Sequence, residues 1–406
     1  MANKTKIVIV GGGFGGVYTA GRLRKLFDRD EIEITLINRS NFFLFTPLLH
    51  EVATGGLSPT SIVEPIREVF RGTCINFVED EVIEIDQQRK MVATSQNTYS
   101  YDYLVVATGA DTNYFGTPGA KENCFTLKSL HDAVALRNHI LQTCEQAIKT
   151  GNKDMLSVGI VGAGPTGVEL AAEYAEYMHL TIKNYYGNSD FNEVDVKINL
   201  ITATADVISQ FPVKMRSLAA ERLQKLGIKV LANKIVTKVE PNTLTFKDGS
   251  DLKSHTLVWV AGVAPTLSEI KGLAVGPKGR LEVDASLRSL NDAFTFALGD
   301  ASGTFPMLAQ VAVQQSKVVA RNIYLLIKKP SSKLSTFEFT PKGLLISIGQ
   351  WYAIGNFFGI TIRGRIMWWI WRTVYLFNFL SWRKRLEIAG EWTVNTFYPR
   401  DITYLK

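Results

Sequence analysis

Residues 6–16 read KIVIVGGGFGG, and the fold of the chain is decided there. Ile7, Val8, Ile9 and Val10 make an apolar, β-branched run of strand length. Gly11, Gly13 and Gly16 follow in the spacing G-x-G-x-x-G, and Val17, Ala20 and Leu23 continue at helical spacing. Strand, glycine turn and helix in that order form a cradle in which a dinucleotide diphosphate rests on the N–H groups at the positive end of the helix. Gly11 permits the tight turn, Gly13 lets the backbone approach the pyrophosphate, and Gly16 lets the helix pack closely on the strand.

The pattern recurs about 150 residues later. Residues 157–161, SVGIV, run into Gly162-x-Gly164-x-x-Gly167, and Val168, Leu170, Ala171 and Ala172 continue as helix. Two such units in one chain imply two nucleotide cofactors with electron traffic between them. Each unit has its second strand, at 33–37 and 196–201, where a carboxylate normally grips a ribose hydroxyl. Here those strands end at Asn38 and Thr202. Asn38 can still accept through its amide oxygen. No Lys or Arg stands near Thr202 in the sequence to take a 2′-phosphate, which favours NADH over NADPH, with Asp206 as a candidate substitute acceptor.

Between these units, 42–54 (FFLFTPLLHEVAT) is an apolar loop suited to cover an aromatic ring or to pack in a core. Residues 77–82 and 91–94 read as strands, and 103–109 as a buried strand ending in a small-residue turn. Residues 257–262 echo that turn in the second unit. Proline and glycine mark crossings between domains at 111–120 and 262–280, the latter holding Pro265 and Pro277. The strand at 293–300 ends in Gly299-Asp300, which sets Asp300 at the ligand edge as an acceptor for a ribitol or ribose chain, or else as a helix cap. Gln310 and Gln314 share one face of the following helix.

The chain has 406 residues and a net charge of +7. Residues 341–406 carry nine basic against three acidic side chains and six of the seven tryptophans, so almost all of the excess charge is in an aromatic tail. That points to a membrane surface more than to nucleic acid. Residues 366–380 (IMWWIWRTVYLFNFL) reach roughly 22 Å as helix, short of the ~30 Å hydrocarbon core, and Arg372 interrupts them. An interfacial helix is expected, with tryptophans at headgroup depth, cations on anionic lipid and a second helix over 387–397; a buried helix or dimer interface is the competing reading. Cys74, Cys124 and Cys144 show no metal-ligand spacing, so no metal site or disulfide framework is expected and a reducing compartment fits. No apolar signal segment precedes the first strand, which places the catalytic domains on the cytoplasmic side.

These motifs together resemble the type II NADH dehydrogenases, single-subunit NADH:quinone oxidoreductases. The similarity lies in KIVIVGGGFGG, LFTPLLHEVATG (44–55), GAGPTGVELAAE (162–173), ALGD (297–300), AQVAVQQ (309–315) and the amphipathic tail. The resemblance implies an α/β flavoprotein of two Rossmann-like dinucleotide-binding domains with a C-terminal amphipathic helical membrane-anchoring region. The FAD domain is split (1–115 and 270–340), the NADH domain is 116–269, and 341–406 is the membrane-association region. It implies a respiratory-chain, monotopic homodimer on the cytoplasmic face of the cell membrane that reduces ubiquinone or menaquinone without pumping ions.

By matching motif, Gly11, Gly13, Gly16, Asn38, Arg39, Val82, Thr108, Gly109, Asp300 and Ala309 would hold FAD. Gly162, Gly164, Thr166 and Gly167 would hold NADH. Glu169 would approach the nicotinamide and flavin, and Gln310 and Gln314 would border the quinone pocket. Asn38 and Thr202 depart from the acidic residues usual in the family. Water or Glu169 is the expected source of protons for the quinone. The rival readings are a slow, NADH-responsive signalling flavoprotein and a sulfide:quinone oxidoreductase, the latter needing redox cysteines beside the flavin.

Overall fold

A computed structural model describes residues 4–186, 195–267, 270–273, 275–276, 278–303 and 305–404. Pro277 of the expected return crossing and Lys406 of the tail lie outside them. The chain forms two compact units, one of Met1–Leu44, Val63–Asp111 and Val263–Pro341, the other of Phe45–Ile62, Thr112–Gly262 and Lys342–Lys406.

The first unit is built on a five-stranded parallel sheet. Its strands run in the order Thr295–Ala297, Tyr103–Val106, Thr5–Val10, Ile32–Asn38 and Ile75–Glu79. All four pairings are parallel. Val8, Val10, Ile37, Leu104 and Val106 bury one sheet face against Ile85, Val92 and Leu281. A parallel sheet covered on both faces needs such nearly continuous apolar strands. Helix Phe14–Leu26 packs along helix Ala309–Lys328. A second, antiparallel sheet holds Val82–Asp86, Met91–Thr94 and Thr98–Ser100.

The expected strand over 77–82 is in fact the end of one strand and the start of another. Asp80 breaks it: its Oδ1 accepts from the Glu81 N–H at 2.8 Å and from the Ser95 hydroxyl. A short carboxylate that bonds to the next backbone N–H competes with the ladder.

The second unit repeats the plan. Lys229–Leu231, Lys197–Ile201, Ser157–Val161 and Thr256–Trp259 form a parallel sheet, beside an antiparallel one of Val236–Glu240, Thr243–Phe246 and Asp251–Lys253. Helix Leu130–Thr150 starts at a capping box between Ser129 and Asp132. The apolar loop after residue 44 contributes the helix Leu49–Ala53, all five residues of which are buried, packed on helices Leu130–Thr150 and Pro165–Tyr185. The division therefore assigns 45–62 to the second unit and not to the split first domain, and includes the tail in that unit as well.

The tail also differs from its expected form. It opens with an antiparallel sheet, Leu344–Ser347, Ala353–Phe357 and Ile360–Gly364, before helices Arg365–Phe377 and Trp382–Phe397. Trp368, Trp371 and Trp392 are buried inside the unit, while Trp369 and Trp382 are exposed. Arg372 is not a lipid-facing cation: its guanidinium lies over the rings of Trp368 and Trp392, 3.7 and 4.7 Å from their centroids. Arg385 closes the end of the first helix by donating to the carbonyls of Phe379 and Phe377. Packing side chains on one face and solvating the other is how a strongly amphipathic helix docks.

Candidate active site

In the first unit, parallel strands bring the expected cofactor residues to one sheet edge. Gly11 turns with φ +106°, and a Cβ there would meet the Ala107 carbonyl at 2.3 Å. A Cβ on Gly16 would stand 1.8 Å from the Gly11 carbonyl oxygen. Gly13 differs from both. It caps helix Phe14–Leu26 with no side-chain bond, and a Cβ there would meet nothing within 4 Å.

Asn38 has a task that its ribose-binding expectation did not include. Its Oδ1 accepts from the Gly12 N–H at 2.8 Å, and its Nδ2 donates to the Ser40 carbonyl at 2.8 Å. The amide thus fixes the glycine turn from the neighbouring strand, which a carboxylate could do only on the acceptor side. Arg39 pairs with Glu81 at 3.2 Å on the surface. Val82 opens the antiparallel sheet with its side chain in the core. Thr108 and Gly109 (φ +74°) follow the strand Tyr103–Val106. Asp300 sits in the turn Gly299–Ala301 directly after the adjacent strand.

Ala309 and Gln310 begin the helix beyond this turn. Gln314 has both ends of its amide engaged with Thr340, donating to its carbonyl at 2.9 Å and accepting from its N–H at 3.2 Å. Gln315, which sequence reasoning passed over, is wholly buried and accepts from the Gly299 N–H at 2.6 Å. Its place on the inward face with Val311, Ala312 and Val319 was the available signal. Thr108 Oγ1 and Gln315 Nε2 are buried polar atoms with no hydrogen-bond partner. Such groups are rare without a ligand or water to satisfy them. With the open cradle at Gly13, these residues fit a bound dinucleotide.

In the second unit the turn is reproduced. Gly162 has φ +113°, Gly167 approaches the Gly162 carbonyl as Gly16 does that of Gly11, and a Cβ on Gly164 would meet open space. Thr166 is exposed on the first turn of helix Pro165–Tyr185. Thr202 Oγ1 shares a 2.8 Å hydrogen bond with Thr204 Oγ1. Asp206, the candidate substitute acceptor, is engaged by Arg216, ten residues on, at 2.7 Å.

Glu169, Glu173 and Glu176 lie at i, i+4 and i+7 on one face of that helix, the first two buried and the third half-buried. Glu169 Oε1 accepts from the Ser347 N–H at 3.2 Å, and its Oε2 is 3.9 Å from His50 Nδ1. Burial raises the Glu169 carboxyl well above the usual range, and burial lowers the His50 imidazole to about 4. Both shifts favour the uncharged forms, and at 3.9 Å the contact is longer than a hydrogen bond. Burial lifts Glu51 to about 6 against the opposing charge of Arg372, and the Trp392 indole donates to it at 2.7 Å. Burial also pushes Glu173 upward, but the charge and hydrogen bond of Arg400 bring it below its ordinary value. Glu176 is raised by burial to about 7 and holds Arg222 at 2.9 Å.

The pyridine nucleotide-disulphide oxidoreductase family matches residues 5–316, and the NDH2 C-terminal domain matches 342–401. A type II NADH:quinone oxidoreductase of Mycobacterium tuberculosis is 32% identical over 97% of this chain and 89% of its own length. The chain belongs to the type II NADH:quinone oxidoreductases. A relative of that name from Haemophilus influenzae is 30% identical over 88% of this chain and 90% of its own length. The fold is that of NDH2 from Plasmodium falciparum, solved in complex with NADH: TM-score 0.89 at 22% identity, covering 99% of this chain and all of that one.

Membership in the type II NADH:quinone oxidoreductases agrees with the cysteines. Cys124 and Cys144 are pushed by burial to about 12, so both remain thiols at neutral pH. A thiol in that state is a poor redox nucleophile. The sulfide-oxidising alternative thus lacks a reactive pair in the second unit.

Proposed function

We propose that this chain is an FAD-dependent NADH:quinone oxidoreductase working, as a homodimer, on the cytoplasmic face of a membrane. The observation that carries the reading is the duplicated glycine turn, whose Gly13 and Gly164 each leave open space at a helix N-terminus. FAD, when bound, takes a hydride from NADH and passes two electrons to a quinone of the ubiquinone or menaquinone class. The chain's own residues bind, orient and supply protons. Gly11, Gly13, Gly16, Asn38, Arg39, Val82, Thr108, Gly109, Asp300 and Ala309 hold the flavin nucleotide, and Gly162, Gly164, Thr166 and Gly167 the pyridine nucleotide. Gln310 and Gln314 border the quinone, Gln314 by fixing the segment at Thr340. Glu169, whose buried carboxyl is shifted toward its protonated form, carries a proton for the quinone.

The tail supports a lipid surface. Phe358, Ile366, Trp369, Phe377, Trp382, Leu386 and Phe397 are each more than half exposed. No helix among the described residues is long and apolar enough to cross a membrane. Clustered exposed aromatic and aliphatic side chains on amphipathic helices bind at the headgroup boundary, with about 1 kcal/mol added per cation on anionic lipid.

The test is steady-state oxidation of NADH and NADPH by ubiquinone and menaquinone analogues, on detergent-purified protein and on protein bound to anionic liposomes. Turnover at or above about ten per second, the enzyme median, is expected; below about one per second the signalling reading replaces it. In Gln314→Ala, quinone reduction falls while anaerobic bleaching of the flavin by NADH stays at the wild-type rate. Equal loss of both would remove Gln314 from the quinone side.

A further inference from the structure

Residues 113–117 read NYFGT and form a tight turn within the second unit. The Thr117 N–H donates to the Tyr114 carbonyl at 2.9 Å, and between them Phe115 and Gly116 have φ of +52° and +68°. Two left-handed central residues are the pattern of a type I′ turn, which takes Asn, Asp or Gly at its first central place. A phenylalanine there is a steric outlier, because its Cβ crowds the carbonyl that follows.

Burial does not repay that cost, since Phe115 is 65% exposed. The turn is nevertheless held firmly. Asn113 Oδ1 accepts from the Phe115 N–H at 2.8 Å, the Asn113 N–H donates to the Gly262 carbonyl at 3.0 Å, and the Asn113 carbonyl accepts from the Trp259 indole at 2.9 Å. Three bonds from one residue thus fix the ring where it stands. Its tip lies over Gly262, so near that a Cβ on Gly262 would be 2.5 Å from the ring Cζ. Strain of this kind collects where a ligand is clamped, the surroundings holding a conformation that the residue itself disfavours.

The place of the ring says which part of a ligand it would meet. Strand Thr256–Trp259 pairs in parallel with Ser157–Val161, on the side opposite Lys197–Ile201. A dinucleotide lies across the carboxyl ends of such strands, with its adenosine ribose at the second strand, here Lys197–Ile201, and its diphosphate at the helix after the glycine turn. The nicotinamide half is left for the end of Thr256–Trp259. That end adjoins the glycine turn: the Val260 N–H donates to the Val161 carbonyl at 2.8 Å, and a Cβ on Gly162 would stand 2.5 Å from Ala261 Cα. From the turn, Ala261 and Gly262 lead directly to Phe115.

We infer that Phe115 is a substrate-binding residue whose ring packs against the nicotinamide of NADH. The inference rests on the proposed binding of NADH by the second unit. An exposed aromatic face suits the flat nicotinamide and not the polar ribose beside it. It attracts that ring in both redox states, by stacking when it is reduced and through its π cloud when it is a pyridinium. A ring already fixed by Asn113 loses little freedom on binding.

The test titrates FAD-loaded protein with NAD+ and with ADP-ribose, which lacks only the nicotinamide, and records the melting temperature alongside. Phe115→Asn removes the ring and supplies Asn-Gly, the pair that this turn prefers. Its dissociation constant for NAD+ is expected to rise about tenfold, the loss of one stacking face, with that for ADP-ribose within about twofold of wild type. The melting temperature holds or rises by about 2 °C as the strain is relieved. Phe115→Tyr keeps the face and retains both affinities. A ring that only supported the fold would show the reverse, a lower melting temperature with nucleotide affinity unmoved.

Unchanged NAD+ affinity in Phe115→Asn, an equal loss of ADP-ribose, or loss of NAD+ binding in Phe115→Tyr would overturn the assignment. Should Phe115→Asn not accumulate, Phe115→Gly, which the left-handed turn also accepts, is read in its place; failure of both to fold would make the ring a support of the fold and overturn it as well. Wild-type protein that binds neither nucleotide strikes the proposed NADH site itself; wild-type binding of both with unaltered variants strikes only Phe115.

Discussion

Gly13→Val is expected to yield folded, soluble protein without yellow colour. The backbone at Gly13 has φ −82° and ψ −164°, an extended conformation that valine takes readily, and a Cβ would touch no protein atom within 4 Å. Nothing in the apoprotein resists the substitution. The isopropyl group instead fills the space over the first turn of helix Phe14–Leu26, where the diphosphate would approach the backbone. Two charge-assisted hydrogen bonds lost there amount to about 3–6 kcal/mol, or roughly a hundred- to ten-thousandfold in affinity. Gly16→Val is the contrasting control. Its Cβ would lie 1.8 Å from the Gly11 carbonyl oxygen, so the helix could not approach the strand, and loss of folded protein is expected. Absorbance of the purified proteins with their circular dichroism separates the cases. Stoichiometric FAD in Gly13→Val would remove the first glycine turn from the cofactor site.

The two glycine turns were legible in the sequence because each is local: strand, turn and helix follow one another directly along the chain, and the required φ and close approaches leave few alternatives to glycine. Other features depended on partners far along the chain. The tail read as an interfacial helix because its composition is that of one, yet Trp368 and Trp392 enclose Arg372 through contacts between two different helices. The turn at Phe358-Gly359, which reverses Ala353–Phe357 into Ile360–Gly364, was a hairpin signal left unread within an apolar stretch. Arg216 stands ten residues from Asp206, and only the turn into helix Val213–Lys225 brings them together. His50 was legible as part of an apolar loop, but not as the neighbour of Glu169, 119 positions away, since periodicity carries no information on tertiary approach.

Arg400→Met is expected to be the most destabilising single change in the second unit that leaves the glycine turns intact. The guanidinium is buried, pairs with Glu173, and donates to the Thr54 carbonyl at 3.3 Å and the Thr54 hydroxyl at 3.1 Å. It therefore ties the chain's last segment to helix Pro165–Tyr185 and to the loop that carries His50 and Glu51. Next to it, Asp401 pairs with Arg137 at 2.7 Å. Removing one partner of a buried pair leaves the other charge uncompensated and costs about 3–5 kcal/mol. The pH dependence has a definite sign. Burial raises Glu173, and Arg400 more than offsets it, so the wild-type carboxyl titrates below its unfolded value. Its stabilisation is fully present above the unfolded value of 4.5 and is lost as pH falls through the folded value. In Arg400→Met the upward push of burial is opposed only by the weaker influence of His50 and Arg372, so the penalty is greatest at pH 8 and shrinks as Glu173 takes up a proton on acidification. Denaturant midpoints of the two proteins should therefore differ widely at pH 8 and converge toward pH 5. Glu173→Met/Arg400→Met, which removes both charges, should recover most of the lost stability, since apolar replacement of a whole buried pair is often neutral. A gap between wild type and Arg400→Met that stays constant with pH would mean that Arg400 acts through packing and its bonds to Thr54, not through the charge on Glu173.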